Sequence, residues 1–579
     1  MTRWRLAAAL LLTGCQASVA PVIPPVASVL ISPDTATVIA RATLQLQAVL
    51  LDSSGHPLSG RAVHWTSSDP FLATVSSTGL VTGVGHGPVI VTATAEQRSG
   101  TAHLTVFAPV ASVTVDQGDQ TIVVGGAVQL SATPHDWRGV ALAARVVSWS
   151  SSDAGTVAVT PAGVATGHAP GTGVLTATSE GQAGSATITV ALLELRELAP
   201  GLSTHTCGLT RAGATFCWGS DAYGQLGNGP GGDNATAVLT KGDHTFATVS
   251  GGGRFTCGVV TGGAAYCWGS GSRGRLGNGS VAGSPIPVAV AGGLDFRTLS
   301  AGFSHACALT DDGAAYCWGD NGTWQLGTVT LKLGLTPSHV VAHVSFSTIA
   351  VGDGFTCALA VQGETYCWGN NQAGQLGSPG ALMSAEPLLV QGTPAFTELG
   401  SGARHSCGVT ADGAAYCWGD NRSGELGGGS TRPTPTPVPV AGGLTFSTIS
   451  TGLDFTCGVT IDDAVYCWGD DSGGQLGTAA ALEACDGRPC SSVPLPVSGG
   501  LRFASVAAGD THACGLTTAS LAYCWGRNSS GQLGDGTTTD RPAPVRVLGR
   551  RKPAGATAVP PRTPSVTGPP PGCTRRCPA

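Results

Sequence analysis

The sequence predicts an all-β chain, two small β-sandwiches in tandem followed by a seven-bladed propeller. Three observations predict it. Glycine supplies 87 of 579 residues while charged residues make up only 11%, against ~7% and ~25% in ordinary globular proteins. That composition suits many tight turns. A unit beginning HTCGLTRAGATFCWG at His205 returns at intervals of fifty residues, the last stretched to fifty-seven by an insertion around CDGRPC, the period of propeller blades. Upstream, a second and different repeat returns after 84 residues, about the size of a small sandwich. A chain this long exceeds one hydrophobic core. Its hydrophobic content of 42% and net charge of −6 argue against disorder and give no basic face for nucleic acid. The one basic run, Arg550, Arg551 and Lys552, reads as solvated.

The chain opens MTRWRLAAALLLTGC. Arg3 and Arg5 precede a short apolar run, Leu6 to Leu12, as in a secretory signal too short to span a bilayer. The ending Leu12-Thr13-Gly14-Cys15 resembles the lipobox of bacterial lipoproteins. The resemblance implies cleavage before Cys15 and its lipidation. Because Gln16 is not Asp, it also implies the outer membrane of a double-membraned cell. Residues 1–15 are therefore expected to be the signal and lipobox, and 16–26 a linker. Everything beyond would face a compartment where disulfides persist.

Residues 27–107 and 108–191 hold the first repeat. They contain no cysteine and alternate Val, Thr, Ala and Ser with Gly and Pro punctuation, the pattern of half-buried strands. Trp65-Thr66-Ser67-Ser68-Asp69 returns as Trp149-Ser150-Ser151-Ser152-Asp153, Gly79 to Gly83 as Gly163 to Gly167, and Thr92-Ala93-Thr94 as Thr176-Ala177-Thr178. W-x-S-S-D, then G-x-x-x-G, then T-A-T resembles the bacterial immunoglobulin-like domain of group 2. The resemblance implies core positions for Trp65 and Trp149 and a stalk role for the tandem modules.

Residues 195–549 hold the second repeat. Its first cysteines are Cys207, Cys257, Cys307, Cys357, Cys407, Cys457 and Cys514. Ten residues on stand Cys217, Cys267, Cys317, Cys367, Cys417, Cys467 and Cys524, each followed by Trp-Gly. In TCGLTRAGATFCWG two β-prone runs flank Arg211-Ala212-Gly213. Gly213 occupies the third loop position, where hairpins favour the left-handed region. Pairing Thr210 with Ala214 and counting outward sets Cys207 opposite Cys217. The two fall at a non-hydrogen-bonded pair with Cα atoms about 4.5 Å apart, within disulfide reach. Each hairpin is thus expected to be stapled, at roughly 2–3 kcal/mol per small loop. Gly263, Gly313, Gly363 and Gly413 hold the same turn position, while Asp463 and Ser520 depart from it. C-x9-C lacks the spacing of zinc sites.

The motifs HACALTDDGAAYCWGDN, from His305, and HSCGVTADGAAYCWGDNRSGELG, from His405, resemble the regulator of chromosome condensation repeat. The Gly-Gln-Leu-Gly ends at Gly224, Gly374, Gly474 and Gly531 extend the resemblance. Arg275 and Trp324 depart from the pattern. The resemblance implies a seven-bladed propeller. For its best-known eukaryotic members it implies guanine-nucleotide exchange on a small GTPase, and for some secreted bacterial members it implies inhibition of an enzyme through one rim. The export signal favours the second.

Catalytic motifs are missing from the sequence: no G-x-S-x-G, H-E-x-x-H or P-loop. An extracytoplasmic hydrolase with an unrecognised site stands as a further alternative. His205, His305, His405 and His512 alternate with Phe255, Phe355 and Phe455 at one position, so packing is expected there rather than a metal ring. Asp320, Asp420, Asp470 and Asp471 follow Trp-Gly, and Asp311-Asp312 and Asp462-Asp463 sit in hairpin turns; both sets read as turn or rim residues. Neither a cofactor nor a metal is expected. What remains is binding of a protein or glycan by loops on one rim. The variable stretches are Asn228 to Thr240, Ser378 to Pro387 and Thr478 to Val493. The last carries Cys485 and Cys490, an expected disulfide, and its Asp486 and Arg488 are the expected interaction residues. The tail 550–579, rich in Pro, Thr and Gly, is expected to be disordered, with Cys573 and Cys577 free to pair.

Overall fold

The computed structural model describes residues 23–549, apart from Gly125, Thr330, Leu331, Thr393 and Ala481. Cys15, the tail, Cys573 and Cys577 lie outside the described residues. The fold is all-β; the helical element among the described residues is one 3-10 turn, Ser272–Gly274.

Near the N-terminus, Thr35–Ile39 runs parallel beside Arg98–Phe107. That strand pairs antiparallel with Gly87–Ala95, and His64–Ser67 follows. The next segment pairs its strands the same way: Gln120–Val123 beside Gln182–Ala191, then Gly171–Ser179 and Ser148–Ser151. Trp65 is buried and Trp149 partly so. The G-x-x-x-G motif has a steric reason. Gly79 lies at φ +80°, and a Cβ there would stand 2.8 Å from the Trp65 ring. Val110, Val113 and Leu142 extend the first core into the second segment. Arg145 lies over Phe107 at 4.3 Å, donates to the Ala108 carbonyl at 2.9 Å and pairs with Glu180 at 3.1 Å.

From Leu195 onward, seven antiparallel sheets follow one another among the described residues. The first runs Glu197–Pro200, His205–Leu209, Thr215–Gly219, Asn234–Leu239, in that order. The expected hairpin is present. Thr210 N–H donates to the Ala214 carbonyl at 2.9 Å, and Cys207 faces Cys217. Seven such cysteine pairs are bonded, with Cα atoms 4.0–4.1 Å apart. Gly213, Asp463 and Ser520 share the left-handed turn, at φ 80°, 65° and 63°. The turn therefore keeps its shape where the glycine is lost.

The fourth strands correct the sequence reading. Asn228 to Thr240 and Ser378 to Pro387 read as variable loops, yet they contain most of Asn234–Leu239 and Met383–Leu389. Proline hid this element: the equivalents in other sheets read SPIPVA, TPTPVP and RPAPVR. An outermost strand bonds on one side only, so it tolerates residues without an N–H.

Each sheet's first strand packs against the first strand of the next, and Phe503–Ala508 packs against Glu197–Pro200, closing the ring. Seven glycines line this closure: Gly201, Gly252, Gly302, Gly352, Gly402, Gly452 and Gly509. A Cβ on any of them would stand 2.3–3.1 Å from the carbonyl oxygen of the next, the last from Gly201. The carbonyls of Gly302, Gly352, Gly452 and Gly509 take inter-sheet hydrogen bonds, such as that from Gly253 N–H to Gly302 at 3.0 Å.

The seam is reinforced from upstream. Leu195 N–H donates to the Ser520 carbonyl, and Leu193 and Leu195 pack between the first and last sheets. Gly549 N–H donates to the Val124 carbonyl at 2.9 Å, and Val123 joins the same apolar cluster.

Gly302→Ala should destabilise by about 3 kcal/mol or more, because backbone must move to admit the methyl group. Gly232→Ala, with open space around it, should be neutral or slightly stabilising. Denaturant unfolding of the two variants checks the contrast; equal stabilities would remove the steric argument.

Candidate functional site

The position where His and Phe exchange lies behind the glycine ring. His205, His305, His405 and His512 are fully buried. Each Nε2 meets a threonine hydroxyl of the following sheet: Thr256 at 3.0 Å, Thr356 at 2.8 Å, Thr456 at 2.8 Å and, across the seam, Thr206 at 2.7 Å. Those hydroxyls donate to the backbone carbonyls of Gln225, Gln325, Glu425 and Gln532. A hydroxyl has one proton, so the imidazole Nε2–H is the donor. Where the first residue is Phe, the following sheet offers Ala306, Ser406 or Ala513 instead. The pairing is large with small, or His with Thr. Burial pushes His205 and His405 down to about 4, and His305 and His512 to about 3. These rings are neutral inter-sheet connectors.

Among the described residues, one group could place three metal-ligand atoms together: Glu483, Cys485 and Cys490. The two sulfurs are bonded to each other, so no thiolate is available to a metal.

The insertion forms a hairpin. Cys485 faces Arg488, with Asp486 and Gly487 both at positive φ, 47° and 78°. Asp-Gly is the favoured pair for such a two-residue turn, a signal the sequence reading passed over. Glu483–Cys485 thereby adds a fifth strand to the sixth sheet. The hairpin walls a cleft of about 320 Å³ with Arg404, Asp420, Arg422, Glu425 and Asp454. Asp486 and Arg488 are exposed. Asp420 pairs with Arg404 at 3.0 Å and lies 3.6 Å from Arg422. Asp320 pairs with Arg273 at 2.6 Å, and Asp471 accepts the Leu476 N–H at 2.8 Å, so these carboxylates serve as rim and turn groups. Asp312 and Asp462 lie in their hairpin turns, hydrogen-bonded to Thr310 and Thr460.

Glu425 stands where other sheets hold glutamine. Gln225, Gln375 and Gln532 accept the backbone N–H two residues before them, and Glu425 accepts that of Ser423 at 2.8 Å. Burial, aided by Asp420 and Asp454, pushes its carboxyl up to about 8. At neutral pH it therefore carries a proton and imitates the amide. Arg275 in the second sheet is also buried and reaches Ser270 and Ser272. Trp324, at φ 65°, takes the left-handed position that glycine holds in the other sheets.

Arg404 and Asp454 also belong to the short segments just before the His or Phe positions, which surround the mouth of the ring. The insertion and the mouth thus share one face. The face they share on the ring of sheets carries the charged groups of the cleft, and the domains of the chain have known relatives. Residues 284–559 match the RCC1-like domain, and residues 25–106 match the bacterial Ig-like domain (group 2). The chain carries both domain types. Among solved structures, Prp20p of Saccharomyces cerevisiae is 22% identical, with a TM-score of 0.52, over 61% of this chain and 87% of that one. Human WBSCR16 is 20% identical, with a TM-score of 0.51, over 58% and 94%. These likenesses show the propeller fold. Ice-binding protein 1 of Shewanella frigidimarina is 32% identical over 166 residues, 28% of this chain and 19% of that protein. The chain thus spans about a fifth of that relative's length.

Two outcomes follow for titration. Glu425 binds a proton in the folded state that it releases in the unfolded one between pH 4.5 and about 8, so its contribution to stability declines as pH rises through that window. Glu425→Gln should flatten that decline and stabilise the protein at pH 8 by on the order of 1 kcal/mol or more, read from denaturation midpoints at pH 6 and 8. The histidines act oppositely. Unfolding lets each take a proton below about 6.5, so stability falls as pH drops from there towards 4. His405→Phe alone should cost about 1–3 kcal/mol by overpacking Thr456. Adding Thr456→Ala should restore most of that and reduce the acid sensitivity; a double variant no better than the single would break the pairing rule.

Proposed function

We propose that the chain is an exported lipoprotein anchored through Cys15. In this reading residues 27–107 and 108–191 are two Ig-like modules forming a stalk, and residues 195–549 form a seven-bladed propeller. The propeller binds a protein or glycan partner on the face bearing the Cys485–Cys490 hairpin. The observation that carries the reading is the cleft there: exposed Asp486, Arg488 and Arg422 and half-buried Arg404 stand around a buried Glu425. Arginine and shape-fixed charged pairs are what partner recognition uses. Eight disulfides support a compartment outside the cytoplasm.

The study that includes the Prp20p structure describes binding of that protein to Gsp1p and histones. Nucleotide exchange here would require a reduced, cytoplasmic chain, which the disulfides oppose. The Shewanella relative is named for binding ice; a match over 19% of it does not bring that property to this chain.

Cys15→Ser should abolish incorporation of a labelled fatty acid and release the protein from the envelope. Arg422→Ala with Arg488→Ala should weaken capture of the partner, cross-linked on intact cells, about tenfold or more, with an unchanged Tm. Capture that survives both changes would place binding elsewhere, and free thiols in the native protein would defeat the exported reading.

A further inference from the structure

We propose that the mouth of the ring, on the side of the first three sheets, binds a neutral pyranose sugar between Tyr223 and Phe303. This rests on the binding role proposed for the same face and adds a second, chemically different subsite to it.

The cavity there measures about 320 Å³ and is lined by Tyr223, Phe303, Arg254, Asp510, Ser203 and Ser220 among others. Its size is at the lower end of small-ligand sites. Tyr223 is 47% exposed and Phe303 36% exposed, so two aromatic rings face solvent within a concave wall. Both are held. Arg254 lies over the Tyr223 ring at 4.9 Å and donates to its hydroxyl at 2.9 Å. The Tyr223 N–H is fixed by buried Gln225 at 2.9 Å. Phe303 rests on Gly253, where a Cβ would lie 2.4 Å from its carbonyl oxygen and 2.9 Å from its ring.

The blade does not need these rings. At the position of Tyr223 the other sheets carry Arg273, Thr323, Ala373, Ser423, Gly473 and Ser530. At that of Phe303 they carry Ser203, Gly253, Asp353, Ala403, Leu453 and Asp510. Six sheets close without an aromatic at each place, so the pair is surplus to packing.

The surrounding groups select the ligand class. The Arg254 guanidinium and the Asp510 carboxylate line the same cavity, so their opposite charges favour neither an anionic nor a cationic ligand over a neutral one. The hydroxyls of Ser203 and Ser220 and the Asp510 carboxylate would stay unpaired against an apolar ligand. A pyranose matches both demands. Its C–H face is electropositive and packs on the negative face of an aromatic ring, and its hydroxyls bond to serine, aspartate and guanidinium.

The test uses the full chain and four soluble probes: glucose, galactose, mannose and N-acetylglucosamine. Calorimetry and saturation-transfer NMR should find at least one with a Kd of about 1 mM or tighter. Tyr223→Ala and Phe303→Ala should each weaken it about tenfold or more while leaving Tm unchanged, and Tyr223→Phe should retain part of it. Failure of all four probes, or binding that persists in both alanine variants, overturns the sugar site. Partner capture lost with Arg422→Ala and Arg488→Ala while no sugar binds would overturn this subsite alone and leave the broader function standing.

Discussion

The closed circuit of seven glycines at the inner edge of the sheets is the constraint on which the propeller depends. Each glycine lets the next sheet's carbonyl approach to a distance no side chain permits. That approach sets how near the innermost strands come to the axis, and so how many sheets complete a turn. The tryptophans after each second cysteine then lie fully buried between sheets. Five of the indoles visible in the repeat, Trp318, Trp368, Trp418, Trp468 and Trp525, donate to a carbonyl of the sheet before, as Trp218 does across the seam to Gln532. Hydrophobic burial supplies the energy of assembly, and the glycines decide its geometry.

The His–Thr and Phe–small pairing adds a second layer of order. The two types alternate around the ring, and an odd number of sheets cannot alternate without a fault. The fault falls at the seam, where His512 and His205 occupy neighbouring sheets. Thr206 is the adjustment: it accepts from His512, whereas the other histidine-bearing sheets have Ala306, Ser406 and Ala513 at its place. Closure is thus written into one residue of the first repeat. A residue that suits only one neighbour also opposes wrong pairings, as complementary contacts do in other assemblies.

What could be read in the sequence was local. The Cys207–Cys217 hairpin and its turn at Gly213 follow from spacing within about fifteen residues and are fixed by backbone geometry, while the core role of Trp65 is what the resemblance of its motif implies. The outer strands escaped notice because proline, a breaker in most settings, is permitted at an edge. The Cys485–Cys490 loop was legible as an insertion with Asp486 and Arg488. Its Asp486-Gly487 pair is an equally local signal for the two-residue turn. The partners of those residues, Arg404, Asp420 and Glu425, lie some sixty to eighty residues away in sequence, and only ring closure brings them together. The raised carboxyl of Glu425 has the same origin: its burial is made by a neighbouring sheet.

The contact of Gly549 with Val124 has a mechanical meaning. The N-terminal modules grip the ring at the seam between its first and last sheets, where both ends of the propeller meet. A pull along those modules is therefore delivered to the joint that holds the circle shut, not spread evenly around it. If that joint opened, the sheets would peel away in sequence, but each would give up less chain than its length allows, because its paired cysteines, ten positions apart, already tie the segment between them. Flow or traction would meet a structure that lengthens in short, bounded steps and retains the hairpins from which it can close again.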